Sequence, residues 1–277
     1  MKIRRITLAV LLLLTVLFVA DIRYFGGPNS TKQPSVHFNV SPGIKAPAVE
    51  KSQSFVNSGE ELSSLVLKGQ RGNVELRSTD TDQIVVHATI GADSEEILDT
   101  FEVVETIWGS EIRYEISEGQ EDEMPEVWLS FVVEVPAGME VSVEQNFGQV
   151  RVHNFRGFLS LNTSFSEVTV WGLEGTASIQ SNFGVLDLRQ IAGPITLNDS
   201  FSTSKVEFLT IDGGYDFDIE VVNGVLAGKA PFQMDTQQNN KLVARGQSGD
   251  GVHPVVIRSS FGNVTVNLKD FEGTRVD

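Results

Sequence analysis

The chain has 277 residues, of which 40% are hydrophobic and 21% are charged, so it can form one large domain or two ordinary ones and is not expected to be disordered throughout. It contains no cysteine, which excludes disulfides, thiol nucleophiles and zinc–thiolate sites. The 37 acidic and 21 basic side chains give a net charge of −16, which argues against a general nucleic-acid binder.

Residues 1–25 predict a signal peptide or an N-terminal membrane anchor. Three basic residues precede an uncharged apolar run over residues 6–20. As a helix this run is about 22 Å long at ~1.5 Å per residue, which is short of a ~30 Å bilayer core but long for a signal peptide. Cleavage after Ala20 would put Phe18 where a small residue is preferred, and this favours an uncleaved anchor. Either way, the positive-inside rule predicts that the rest of the chain is exported, as a membrane-anchored or secreted protein.

Residues 26–52 are predicted to form a linker. Residues 53–135 are predicted to form a strand-rich acidic part that caps the repetitive segment, residues 136–277, described below. The linker is rich in Pro, Gly and Ser and shows little periodicity. Acidic side chains concentrate in residues 93–126, which hold 13 acids and one base. Carboxylates at this density suit calcium, but no spaced Asp-x-Asp-x-Asp-Gly loop occurs. We therefore expect a solvated acidic hairpin and no metal site.

Alternating apolar residues in the acidic part predict short strands separated by turns. One short helix is predicted over residues 93–101, with Asp93 or Ser94 as its N-cap and with Ile97 and Leu98 on its apolar face. The predicted strands are 65–67, 74–76, 84–86, 101–107, 111–117 and 127–135.

An 18-residue repeat dominates residues 136–277. Apolar residues recur three, five and eight positions after a phenylalanine, and a glycine recurs ten positions after it. Clear copies span 141–217, a degenerate copy spans 218–254, and a final copy spans 255–268; a two-residue insertion is expected near Thr203-Ser204. The repeating phenylalanines are Phe147, Phe165, Phe183 and Phe201.

This periodicity predicts an all-β fold, a single-chain β-solenoid of the β-helix type with about 18 residues per coil. Two half-buried strands per repeat would stack on the next repeat, so that each column of the repeat lines up. We expect the phenylalanine column to lie inside, since stacked exposed rings favour aggregation. An antiparallel β-sandwich is the alternative fold. The alternation of Asn-Phe-Gly with Ser-Phe-Ser also fits a 36-residue coil.

The repeat resembles a known bacterial family. The turn Val135-Pro136-Ala137-Gly138, the strand Val141-Ser142-Val143 and the later segment Ser260-Phe261-Gly262-Asn263-Val264-Thr265-Val266 carry the likeness. They are similar to the β-strand-repeat family labelled putative adhesins, a domain of unknown function related to LiaG-like envelope proteins. The resemblance covers about residues 55–268. It implies an exported or anchored envelope protein and supplies no catalytic residues.

One outward cluster of the repeat carries varied chemistry. Residues two, four and six positions after each phenylalanine point outwards, and Trp171 would lie between His153 and Arg189. A tryptophan flanked by charged groups can stack on a sugar and bind its hydroxyls. The competing hypothesis is that the N-terminal strands or residues 218–254 cover Trp171. In that case Arg151, Glu167 and Asp187 form exposed ion pairs between repeats, worth at most ~1 kcal/mol. The predicted ligand face consists of Arg151, His153, Glu167, Trp171, Asp187 and Arg189.

The sequence predicts a non-enzymatic envelope protein. It has no Gly-x-Ser-x-Gly, P-loop, GxGxxG or His-Glu-x-x-His motif, and its four histidines are widely separated, so no cofactor or metal is expected. Adhesion, scaffolding or partner binding at the cell envelope is the first hypothesis, with a protein or a glycan as partner and the membrane contacted through the N-terminal segment. The alternative is a carbohydrate-binding or carbohydrate-active β-helix that uses the predicted face. The alternative requires an exposed Trp171 and an open groove over the face, whereas a scaffold can have that face covered.

Overall fold

The protein is all-β throughout the part of the chain that the structure describes. The computed structural model describes residues 47–117, 127–238 and 240–269, and within these ranges it contains seventeen strands and one five-residue helix. The all-β class predicted from the alternation is therefore confirmed. Among the described residues, no helix has the length and apolar character needed to cross a bilayer.

Three predictions concern residues outside the described ranges. These are the signal or anchor segment, residues 1–25, most of the predicted linker, residues 26–46, and the densest acidic run, residues 118–126. The first described strand begins at Val49, inside the range predicted as linker.

Six strands and the helix precede the repeats. The predicted helix is confirmed, and it begins where the Ser94 hydroxyl accepts a hydrogen bond from the Ile97 amide at 3.3 Å. Leu98 and Phe101 are buried against the core. In chain order the elements are β1 (Val49–Ser58), β2 (Ser64–Thr79), β3 (Gln83–Ala92), α1 (Glu95–Asp99), β4 (Val103–Trp108), β5 (Glu111–Ile116) and β6 (Trp128–Pro136).

Eleven further strands follow in the described chain, and most of them carry the repeat. They are β7 (Met139–Ser164), β8 (Ser166–Asn182), β9 (Val185–Ala192), β10 (Ile195–Ser200), β11 (Thr203–Leu209), β12 (Tyr215–Val222), β13 (Val225–Lys229), β14 (Phe232–Gln238), β15 (Lys241–Gln247), β16 (His253–Ser260) and β17 (Asn263–Lys269). Residues 218–254, predicted as a degenerate copy, thus form strands and an antiparallel β14–β15 hairpin.

Successive repeats pair in parallel at an offset of 18 residues. Val150 of β7 faces Val168 of β8, which in turn faces Leu186 of β9. All three side chains are at most 1% exposed, so one column of the repeat becomes one column of the core. Gly175 has a φ of 138°, and a Cβ on it would lie 2.1 Å from the Gly157 carbonyl oxygen, so a side chain there would block the approach of successive repeats.

The phenylalanine column lies outside the core, which corrects the expectation that it lies inside. The rings stack from repeat to repeat as expected, but Phe165, Phe183 and Phe201 are each about half exposed. They take φ values of 50°, 56° and 54°, in the left-handed region. A residue in this conformation turns the chain, and the alternation changes phase across it: buried residues lie two positions before each of these phenylalanines and three positions after it.

The predicted insertion at Thr203-Ser204 is absent from the register. Thr203 faces Val185 and Val206 faces Leu188, both at the usual offset, and the only irregularity in this pairing falls between Val206 and Phe208. Ser204 therefore occupies the aliphatic column of Leu186 and is 1% exposed. Its hydroxyl donates a hydrogen bond to the buried carboxylate of Asp199, which explains how a polar residue is accommodated there.

The spatial order of the repeats departs from chain order. Strand β16 lies between β10 and β12 and pairs in parallel with both. Strand β17 lies in the same way between β11 and β13. The last described copy of the repeat is therefore inserted between two copies that precede it in the sequence.

Antiparallel pairings occur at both ends of the repeat array, so the whole sheet is mixed. At one end β15 pairs antiparallel with β12, and β14 with β15. At the other end β2 pairs in parallel with β5, β6 and β7, while β3 pairs antiparallel with β1 and β6. Strand β2 thus continues the register of the repeats into the N-terminal part.

Candidate functional site

Three parallel strands bring the predicted ligand face together. We call the half of each repeat that follows the phenylalanine the first run. It alternates buried aliphatic residues with outward polar ones. His153 of β7 faces Trp171 of β8, and Trp171 faces Arg189 of β9. The neighbours predicted for Trp171 are those that the structure shows. We call the set Arg151, His153, Glu167, Trp171, Asp187 and Arg189 the Trp171 face.

Trp171 is open to solvent. The residue is 52% exposed, so the predicted alternative in which another segment covers it does not hold among the described residues. The His153 ring lies edge-on to the indole, with ring centroids 6.4 Å apart and an interplanar angle of 73°. One aromatic neighbour therefore steadies the indole on one side, while half of its surface remains available for a partner.

The charged groups of the Trp171 face are held by polar partners. Arg189 forms an ion pair with Asp187 of the same strand, and its Nε lies 2.8 Å from Asp187 Oδ1. The hydrogen bond from Arg189 lowers the pKa of the Asp187 carboxyl below its usual value. The same contact raises the pKa of Arg189. Asp187 is thus held ionised and serves as an acceptor rather than as a proton donor.

Arg151 and Glu167 form an ion pair and hydrogen bonds that the sequence did not indicate. Arg151 Nη1 lies 3.4 Å from Glu75 Oε1 of β2, and its Nη2 donates to Gln149. Gln149 Nε2 in turn donates to Glu167 Oε2 at 2.9 Å. The expected cross-repeat pairing of Arg151 with Glu167 and Asp187 is thus replaced by a pairing with the N-terminal part. Periodicity within 136–277 carries no signal for Glu75, since β2 lies outside that range.

The arrangement suits binding more than metal chemistry. Within the described residues, no group of three or more His, Asp or Glu side chains is placed to hold a metal ion. The Trp171 face presents an aromatic surface, imidazole and guanidinium donors and carboxylate acceptors on rigid strands. These are the components of a recognition surface, and Trp and Arg are the residue types that dominate such surfaces.

A second exposed feature is the phenylalanine ladder, formed by Phe147, Phe165, Phe183, Phe201 and Phe261. Neighbouring ring centroids are 4.9–5.2 Å apart and the rings are within 10° of parallel. The guanidinium carbon of Arg71 lies 5.5 Å from the Phe147 centroid, at a cation–π distance, and so closes one end. Because the rings cover each other's faces, the ladder presents mainly ring edges to solvent.

The outward orientation of the phenylalanine rings can be deduced from the sequence. Buried positions precede each phenylalanine at even distances, as in Leu159 and Leu161 before Phe165, and follow it at odd distances, as in Val168 and Val170. A single strand cannot have both phases, so the chain must turn at the phenylalanine. The flanking Asn, Ser and Gly residues agree with a turn.

A buried polar column lies behind the ladder, two residues before each phenylalanine. Its members are at most 4% exposed, and they replace the aliphatic side chains found elsewhere in the core. Burial raises the pKa of the Asp199 carboxyl, and the hydrogen bond from the Ser204 hydroxyl opposes this shift. The members are Gln145, Thr163, Ser181, Asp199 and Ser259.

Comparison with known proteins gives structural likeness at low identity. No protein-family model and no curated protein matches the chain. Similar solved structures include a "putative cell adhesion protein" from Clostridium sporogenes, with 12% identity, a TM-score of 0.45, and coverage of 79% of this chain and 100% of that chain. A "putative adhesin" from Bacteroides fragilis has 12% identity and a TM-score of 0.41, with 82% and 100% covered. Another, from Parabacteroides merdae, has 11% identity and a TM-score of 0.33, with 79% and 96% covered.

Proposed function

We propose that the protein is a non-enzymatic, extracytoplasmic binding module that contacts a protein or a glycan of the cell envelope through the Trp171 face. In this proposal residues 1–25 anchor or export the chain, residues 26–52 link it to the membrane, and residues 136–277 form a β-solenoid with 18 residues per coil. The parallel pairing at an 18-residue offset supports the solenoid. The observation that carries the binding role is the exposure of Trp171 between His153 and Arg189.

A carbohydrate-cleaving role has less support from the same face. Glycoside hydrolysis requires one carboxyl that is protonated when it meets the substrate, which calls for a raised pKa. Asp187 has a lowered pKa because Arg189 donates to it. The environment of Asp187 therefore disfavours a general acid, and we assign the face to recognition.

Binding by the full chain to an array of glycans and cell-wall polymers tests the proposal, together with photo-crosslinking in membranes from position 169, two residues before Trp171 on β8, to detect a protein partner. Trp171→Ala is expected to abolish the binding or the crosslinked product. Trp108→Ala is the matched control, since Trp108 is 84% exposed at the end of β4, outside the repeat array. If Trp171→Ala binds as the unsubstituted chain does in both assays, the Trp171 face is not the contact surface.

A further inference from the structure

We call the half of each repeat that precedes the phenylalanine the second run. It carries a polar depression to which the sequence analysis gives no function. Its volume is about 310 Å³, and it crosses the parallel strands β8, β10, β16 and β12. We call it the amide depression and define it by Gln180, Asn182, Asn198, Ser200, Glu220 and Arg258, all of which line it. The volume is at the lower end of the range for small-ligand sites, so it suits one or two sugar rings.

The amide side chains of the depression are available to a ligand. Gln180, Asn182 and Asn198 are exposed, and among the described residues their side chains take part in no hydrogen bond. Stacked Asn and Gln side chains in a parallel sheet often bond to each other as a structural ladder. Asn162, Gln180 and Asn198 occupy one such column but do not form it. Each amide therefore keeps two donors and one acceptor directed at solvent.

The charges in the depression are already neutralised. Glu220 Oε1 lies 2.7 Å from Lys241 Nζ. Arg258 forms an ion pair with the Asp218 carboxylate and donates to the Asp218 carbonyl oxygen at 2.8 Å. Asp199 also lines the depression, but it is 4% exposed and its carboxylate accepts a hydrogen bond from the Ser204 hydroxyl. The charged side chains Glu220 and Arg258 are thus each paired with an opposite charge. Side chains that both donate and accept, without net charge, match the hydroxyl groups of a neutral sugar.

The depression has an apolar border. Asn182, Ser200 and Ser260 line it, and each is followed directly by a ring of the phenylalanine ladder. The rings Phe183, Phe201 and Phe261 are each about half exposed. A ligand on the amides therefore lies beside a row of ring edges, which can pack against the C–H groups of a sugar.

We infer that the amide depression binds a segment of a neutral oligosaccharide, with Gln180, Asn182 and Asn198 hydrogen-bonding its hydroxyls beside the phenylalanine ladder. The two lining columns run across four adjacent strands, a distance of roughly 14 Å at ~4.8 Å per strand. The ligand segment therefore lies along the stacking direction of the repeats. This site is separate from the Trp171 face, because it is built from the second run rather than from the first.

Calorimetric titration of the full chain with cellotetraose, maltotetraose and chitotetraose tests the inference, with tetragalacturonate as the anionic comparison. At least one neutral tetrasaccharide is expected to bind with a Kd below roughly 10 mM, the range of weak single sites. Asn198→Ala and Gln180→Ala are each expected to weaken that binding about tenfold, the effect of losing one to two hydrogen bonds. Both positions are exposed on strands, so the fold is expected to be retained.

Two control variants separate this site from its surroundings and from the proposed function. Asn162→Ala lies in the same column but outside the depression, and Trp171→Ala lies on the other run. Both are expected to leave the Kd within about twofold, a difference too small for one lost hydrogen bond. The inference is overturned if no neutral tetrasaccharide saturates the protein, if tetragalacturonate binds more tightly, or if Asn198→Ala binds unchanged. Loss of binding by Trp171→Ala alone assigns the sugar to the Trp171 face instead.

Discussion

Removing one ring from the middle of the phenylalanine ladder is expected to destabilise the protein by several kcal/mol, although the ring is half exposed. Phe183 is 50% exposed and stacks at 4.9 Å on both Phe165 and Phe201. A phenylalanine side chain offers roughly 200 Å². Its buried half therefore contributes about 2.5 kcal/mol at ~25 cal/mol per Å². Two ring contacts add about 0.5–1.5 kcal/mol each. Phe183→Ala is thus expected to lose about 3.5–5.5 kcal/mol.

The backbone conformation at position 183 predicts a difference in stability between the alanine and glycine variants. Phe183 has a φ of 56°, where a residue with a Cβ is strained by roughly 1–2 kcal/mol and glycine is not. Phe183→Gly is therefore expected to be more stable than Phe183→Ala by about 1 kcal/mol. In an ordinary strand the order is the reverse, because glycine loses more conformational freedom on folding.

Urea unfolding monitored by tryptophan fluorescence measures both effects, and an unchanged m-value shows that the same transition is compared. Phe261→Ala is the matched control, since Phe261 is 54% exposed but is stacked on one ladder ring, Phe201. Its loss is expected to be smaller by about 1 kcal/mol, the value of one ring contact. A loss below about 1 kcal/mol for Phe183→Ala, or a glycine variant less stable than the alanine variant, refutes the reasoning about the ladder.

Three further predictions concern the core behind the ladder and the approach of the repeats. Burial raises the pKa of Asp199, so ionisation of this carboxyl destabilises the folded state as pH rises from about 4, its ordinary pKa, through the raised pKa. Asp199→Asn is therefore expected to become more stable relative to the unsubstituted chain across that pH range, as measured by urea unfolding at stepped pH. An advantage that shrinks as pH rises contradicts this. Ser204→Val removes the hydrogen-bond donor to that carboxylate and is expected to lower the free energy of unfolding by about 1.5–3 kcal/mol. In an Asp199→Ser background the same substitution is expected to be neutral or stabilising. Additive effects of the two substitutions in a double-mutant cycle would contradict this coupling. Gly175→Ala puts a Cβ 2.1 Å from a carbonyl oxygen and should cost more than about 2 kcal/mol, against roughly 1 kcal/mol for Gly109→Ala, where the Cβ meets nothing within 4 Å; equal thermal-shift losses would remove the steric argument.

Local patterns predicted most of the strands, the helix and the neighbours of Trp171, although residues 65–67 and 74–76, predicted as two strands, form the single strand β2. The helix followed from a capping serine and an apolar face, and the neighbours of Trp171 followed from the 18-residue register. Both depend on residues close in sequence or on a strict period. Such features can be deduced from one sequence because they need no knowledge of distant contacts.

The features that escaped prediction depend on distant contacts or on a change of phase. Ser204 looked like an insertion because its partner, Asp199, belongs to a buried polar column that only the stacked repeats create. Glu75 could not be assigned to Arg151 because β2 joins the register from outside the repeats. The phenylalanines are expected inside because stacked exposed rings favour aggregation, but the change of phase at each of them turns the ring outwards.

The position of the last copy sets an order of assembly. As the chain is synthesised, β7 to β11 can stack in sequence, each copy on the one before. Strands β12 and β13 cannot then take their final places, because the layer on which they rest consists of residues 253–269, which are made after them. Until β16 and β17 are in place, β10 and β11 each keep one edge with unpaired backbone N–H and C=O groups. A chain shortened before residue 253 should therefore lose the register of everything after β11, and not one repeat alone.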